Sequence, residues 1–242
     1  MSARPARRPG AAHRRRVRSP DLTLRIGVQL PGGVDDAGDY LADARALDAA
    51  GVDSLWVDGA EHEPWLLLAA IAAVTGRARL VAPISGSGAR LASSLATLDR
   101  LSRGRLALKL AASALAPADS SGPLIELVRR SASCPLFVEI SGEEQASAAA
   151  RVSDGLVGHL DSPAACRAAV ESAREQPPRP SAFETWARVK LPPDREQWRQ
   201  ALQQYAAAGI TGLLVEADPR LLDILRNADE EDDRSDLGLA QG

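Results

Sequence analysis

Cysteine is nearly absent from this chain. Cys134 and Cys166 stand alone among 242 residues, with no CxxC pair. That excludes a disulfide framework and leaves two small core side chains in a reducing compartment as the expectation. Histidine is scarce too: His13, His62 and His159 form no HxxxH and no Cys/His cluster, so no metal centre is expected. Aromatic residues make up only 3%. No apolar run reaches the roughly 18 residues a membrane span needs. No basic start followed by an apolar core marks a secretory signal, so a cytoplasmic protein is expected. A Walker loop, a GxGxxG turn and a Ser-His-Asp order are all missing, which removes the common nucleotide-binding and acyl-transfer readings.

Acid is missing from one place. Seven of the 29 basic residues fall within residues 1–20, where no acid occurs. The rest of the chain therefore carries 22 basic against 32 acidic side chains, a net of −10. Residues 1–20, rich in Arg, Pro and Ala, have too little hydrophobicity to offset chain entropy and read as a disordered basic tail. Residues 228–242, with the run Asp229–Asp233, read as an acidic tail. Neither is expected to reach the site, and nucleic-acid binding is not expected. No membrane contact is expected either.

What is present is a beat. Eight short apolar runs recur at Leu24–Leu30, Ser54–Asp58, Arg79–Ile84, Arg105–Ala111, Pro135–Ser141, Gly155–Leu160, Phe183–Leu191 and Gly212–Ala217, each followed by a helix pattern. Strands alternating with helices imply parallel pairing, and eight such units predict a compact (β/α)₈ barrel over residues 21–227 with few insertions. The runs are continuously apolar, as expected when both faces of a strand are covered. Stripes at i, i+4, i+7 (Tyr40, Ala44, Leu47; Leu91, Leu95, Leu98; Trp198, Leu202, Tyr205) give helices one apolar face each. Ser162-Pro163 and Asp218-Pro219 read as helix starts, as does Asp194 three residues before Gln197. Gly51, Gly76, Gly104 and Gly209 read as left-handed helix stops.

In such a barrel, chemistry sits at the carboxyl ends of the strands. There Gln29 either bonds a heteroaromatic ring or ties the rim. Asp58, with His62 shortly after it, offers a carboxylate and an imidazole for proton work. Ser85 opens the small loop Ser-Gly-Ser-Gly. Ser141 and Gly142 open a helix start that could hold a phosphate, though Glu143 and Glu144 cut against one. Lys109 either lines the mouth or reaches solvent, and His159 and Glu216 each close a run.

Between Gly51 and Leu110 the wording becomes specific: GVDSLWVDG, LLLAAIAAVTGRARL, then LASSLATLDRLSRGRLALKL. With PLFVEISGEEQASAAARVSDG and AAAGITGLLV further on, it resembles the luciferase-like monooxygenase family of flavin- and deazaflavin-dependent oxidoreductases. The resemblance implies FMN or a deazaflavin lying across the strand ends, with hydride moving to or from its ring. It implies ring contacts from Gln29, Asp58 and Ser85, phosphate contacts from Ser141 and Gly142, and His62 as the acid/base. A small-molecule substrate follows, and a homodimer or a heterodimer with a related barrel. The chain departs from the family where Lys109-Leu110-Ala111 replaces a Gly-x-Gly and where Ser87 and Gly88 replace a His-Pro. Those departures make a non-catalytic barrel, partnering an active relative, the alternative.

Overall fold

The structure, a computed structural model, describes residues 24–58, 63–84, 89–111, 122–131, 133–160, 162–176 and 183–226. Both tails lie outside them, as do His62 and Ser85. Among the described residues there are eight strands: β1 (Arg25–Leu30), β2 (Ser54–Val57), β3 (Arg79–Pro83), β4 (Leu106–Ala111), β5 (Leu136–Ile140), β6 (Gly155–Gly158), β7 (Glu184–Arg188) and β8 (Gly212–Glu216). They alternate with α1 (Ala37–Ala50), α2 (Pro64–Val74), α3 (Ala89–Leu101), α4 (Gly122–Ser131), α5 (Ala146–Val152), α6 (Pro163–Arg174), α7 (Arg195–Ala207) and α8 (Pro219–Arg226). Each strand falls inside one of the eight apolar runs. All neighbours pair in parallel and β8 closes on β1, so the predicted (β/α)₈ barrel is the fold.

The unbroken apolar runs serve two cores at once. Leu55, Leu80, Leu108 and Leu136 face the helices, whereas Trp56, Val81, Ala107, Phe137, Val157, Trp186 and Leu214 fill the barrel. Three of the chain's few aromatics meet on the axis: Trp56 lies 5.6 Å from Phe137 and 5.7 Å from Trp186, ring centre to ring centre. Glycine makes their room, since a methyl group on Gly212 would come within 2.5 Å of the Trp186 ring. Each indole N–H finds an acceptor, Trp56 on Ser54 Oγ at 2.7 Å and Trp186 on Glu184 at 3.1 Å. Below this layer Glu184 pairs with both Arg25 and Arg79, closing the amino-terminal end of the barrel.

Helix ends follow the sequence with one correction. Gly51, Gly104 and Gly209 adopt left-handed φ of 92°, 75° and 84°. Gly76 does not: α2 stops on an extended Thr75, whose hydroxyl donates to the Ile71 carbonyl. Gly76 instead gives its N–H to Asp48, as do Arg77 and Ala78, at 2.7–3.0 Å. Three successive donors on one carboxylate lead the chain straight into β3. Beside them Arg105 donates to the carbonyls of Ala72, Thr75, Ala78 and Ser102, satisfying the exposed end of α2. The specific wording around Thr75–Leu80 and Ser102–Leu106 is thus a staple on the amino-terminal face, away from the strand ends that carry chemistry. Ser162 and Asp194 cap α6 and α7 as expected. Cys134 and Cys166 are buried free thiols, each pushed up to about 11 by burial first of all.

Burial alone would raise the Asp48 carboxyl. The N–H groups of Ala78, Gly76 and Arg77, with the Arg77 charge, outweigh it and hold the group below the ordinary aspartate value. A carboxyl depressed in the folded state stabilises above its unfolded pKa, and that contribution fades as pH falls through and below the aspartate range. Asp48→Asn is expected to cost about 1–2 kcal/mol at neutral pH, or roughly 2–8 °C in Tm. Thermal melts followed by circular dichroism check it: the gap between parent and variant should narrow on acidification.

A charged square at the carboxyl ends of the strands

Side chains two residues apart on a strand share a face. One step above the interior layer of Trp56, Ala107, Phe137, Val157, Trp186 and Leu214 stand Asp58, Lys109, Glu139, His159, Arg188 and Glu216. Gln29 takes the matching place on β1. Four of these close a square of alternating charge. Lys109 Nζ lies 2.5 Å from Asp58 Oδ1 and 3.1 Å from Glu139 Oε2. Arg188 Nη2 lies 3.6 Å from Asp58 Oδ2 and 3.4 Å from Glu139 Oε1. The Lys109 side chain is only 7% exposed, so it lines the mouth and does not reach solvent. Burying an ammonium is tolerable here because two carboxylates flank it. Burial pushes the Glu139 carboxyl up, but the Lys109 charge and hydrogen bonds from His159 and Lys109 bring it, on balance, below the ordinary glutamate value.

Gln29 ties the rim: its amide nitrogen donates to the Leu30 and Trp56 carbonyls, and its oxygen accepts from Arg188 at 3.4 Å. Asp58 is a corner of the square. Ser141 and Gly142 stand apart at the exit of β5. The Ser141 N–H is taken by the Gln145 side-chain oxygen at 2.8 Å, and the Glu144 carboxylate folds against Gly142. This turn therefore meets a phosphate with like charge and with one of its donors already used. His62 and Ser85 fall outside the described residues.

Sequence reasoning missed Glu139 and Arg188 altogether. A signal was there: each interrupts an apolar run at or next to its last strand position, two residues above a large aromatic, in LFVEI and ETWAR. It also missed a cavity of about 710 Å³ between the ends of β6, β7 and β8 and the flank of α7, lined by His159, Leu160, Arg188, Lys190, Tyr205 and Glu216 among others. The Nε of Arg188 is buried and has no hydrogen-bond partner among the described residues. Among the described residues no group of three or more His, Cys, Asp or Glu is placed to hold a metal, and no helix is long and apolar enough to cross a membrane.

The sequence model described as luciferase-like monooxygenase matches residues 22–124, the span from β1 to the start of α4, and bears out the resemblance read from the motifs. No curated protein matches in sequence. Among solved structures, an F420-dependent secondary alcohol dehydrogenase holding an F420–acetone adduct is 16% identical with a TM-score of 0.69, over 85% of this chain and 98% of that one. The F420-dependent tetrahydromethanopterin reductase of Methanopyrus kandleri is 13% identical with a TM-score of 0.63, over 86% and 98%. A Rubisco-like protein from Rhodopseudomonas palustris scores 0.61 at 17% identity, over 85% and 62%. Proteins of unlike chemistry align almost equally well, so these likenesses show the barrel and not the reaction.

Proposed function

We propose that this barrel, luciferase-like over residues 22–124, is an oxidoreductase that takes a flavin or deazaflavin above the carboxyl ends of its strands and acts on a small molecule. The carrying observation is the charged mouth beside a cavity that Arg188 lines, on a chain whose first four strands match that family. The donor set fits such a group. The ring's polar edge alternates carbonyl acceptors with an N–H donor, and the mouth offers Arg188 and Lys109 as donors, with Asp58 and Glu139 as acceptors.

When bound, the cofactor supplies hydride transfer. The chain supplies position and surroundings. Gln29 is held from both ends, so its amide presents one orientation. Lys109 and Arg188 hold Asp58 and Glu139 aligned, and the Lys109 charge favours the ionised Glu139 carboxylate. The aromatic layer beneath closes the barrel axis to water. The family's phosphate turn at Ser141–Gly142 is the poorest part of the fit, and a weakly held phosphate goes with this reading. His62 remains the proton-transfer residue that the resemblance implies, and the homodimer or related-barrel heterodimer remains a proposal.

Absorbance titration of the purified protein with FMN and with F420, run in parallel with melting curves, tests this. A bound cofactor should perturb the visible spectrum. At a hundredfold excess over Kd it adds about 2.7 kcal/mol, roughly 5–11 °C in Tm. Unchanged spectra and melting with both at saturation overturn the proposal. The square is then a self-satisfied closure, and the chain is a non-catalytic barrel partnering a relative.

A further inference from the structure

We propose that His159 is a proton-transfer residue for an oxygen of a ligand bound in the cavity between β6, β7 and β8, with Glu139 as its positioning residue. His159 directly follows β6, and its backbone N–H is fixed on the Ile140 carbonyl at 2.9 Å. Its Nε2 lies 2.6 Å from Glu139 Oε1. Glu139 is held as an acceptor by two cations, Lys109 on one oxygen and Arg188 on the other. An ionised carboxylate can only accept, so Nε2 carries the proton, and the tautomer this selects presents Nδ1 as the lone-pair base. Nδ1 has no partner among the described residues, and the ring is 43% exposed on the cavity wall.

The cavity suits a small molecule with an apolar body and one acidic oxygen. Its volume lies within the roughly 300–1,000 Å³ of ordinary ligand sites. Leu160, Val189, Leu191 and Tyr205 form an apolar flank. Arg188 and Lys190 supply positive charge, against Glu216; Asp218 is already clamped by Arg220 at 2.7 Å. In the step proposed, the ligand's O–H bond breaks and an N–H bond forms at Nδ1. The imidazolium so made is charge-paired with Glu139, and the oxyanion faces His159 and Lys190. No electrons move. As a role in turnover this rests on the oxidoreductase reading; as a proton-accepting site it does not, because the test below uses protein free of flavin and deazaflavin.

The probe is 4-nitrophenol, whose phenol and phenolate differ in colour, at a pH where the free probe is the neutral phenol. With the parent protein the bound probe should absorb as phenolate. With His159→Gln, a replacement at a half-exposed position, it should absorb as phenol and bind about tenfold more weakly. Nitrogen-15 NMR on histidine-labelled protein reads the second half: the parent shows His159 in the Nε2–H form, and Glu139→Gln mixes the two tautomers. Bound probe that stays neutral in the parent, an unchanged spectrum in His159→Gln, no binding at all, or a tautomer indifferent to Glu139→Gln overturns the proposal. Failed cofactor uptake with a positive probe result would instead remove the oxidoreductase reading and leave this site standing.

Discussion

Trp186→Ala is expected to cost about 4 kcal/mol, within the ~3–5 kcal/mol typical of emptying a buried tryptophan site. The ring is 2% exposed and lies at the barrel axis, edge-on to Trp56. Three features argue for the upper part of that range. Gly212 and Gly27 line the ring with no side chains to collapse into the gap. The hydrogen-bonded strands of a closed barrel cannot draw together to fill it. The Glu184 carboxylate also loses the indole donor. Urea unfolding should show the midpoint falling with the slope unchanged, and Tm should drop by roughly 8–16 °C. A loss below about 1 kcal/mol, less than an ordinary core truncation, would mean that the axis is not packed as described.

Glu139→Gln is the second large effect, expected at about 3 kcal/mol. Three groups, Lys109, His159 and Arg188, converge on this one carboxylate. Removing its charge leaves a 7%-exposed ammonium with Asp58 alone. Breaking a buried pair from one side costs about 3–5 kcal/mol, and the half-open mouth argues for the low end. The companion measurement is the double variant Lys109→Met with Glu139→Gln, which returns the mouth to one cation facing one carboxylate. It should be less destabilised than the sum of the single variants by about 1–2 kcal/mol. Strict additivity would show that Lys109 and Glu139 do not act as a unit. Because the folded Glu139 carboxyl sits below the ordinary glutamate value, its contribution is present above that range and lost as pH falls through and beneath it. The penalty in Glu139→Gln should therefore shrink in acid.

The most recognisable words of the chain mark its architecture more than its chemistry. Gly76, Arg77 and Ala78 serve the Asp48 staple, and Thr75 and Arg105 serve the end of α2, all on the face opposite the mouth. A family resemblance carried there predicts the barrel well and the reaction poorly. Asp58 and Gln29 were legible as residues of the barrel mouth because each stands at or next to the end of an apolar run. Ser141 and Gly142 were legible as a helix start, but which groups take the turn's donors was not; Gln145 and Glu144 settle that by folding back.

The sequence by itself determined the eight alternating units, their order, most helix caps and the closure they imply, because strand and helix periods and stop residues are local properties. Only the tertiary structure decided which charges meet. When both faces of a strand are apolar, nothing local says which parity faces the barrel axis. Gln29 and Arg188 touch across 159 residues of chain because β8 closes on β1 and brings β7 round to the same mouth. The square of Asp58, Lys109, Glu139 and Arg188 exists for the same reason: a closed ring sets four strand ends facing one another, and the low dielectric between them makes opposite charges pair.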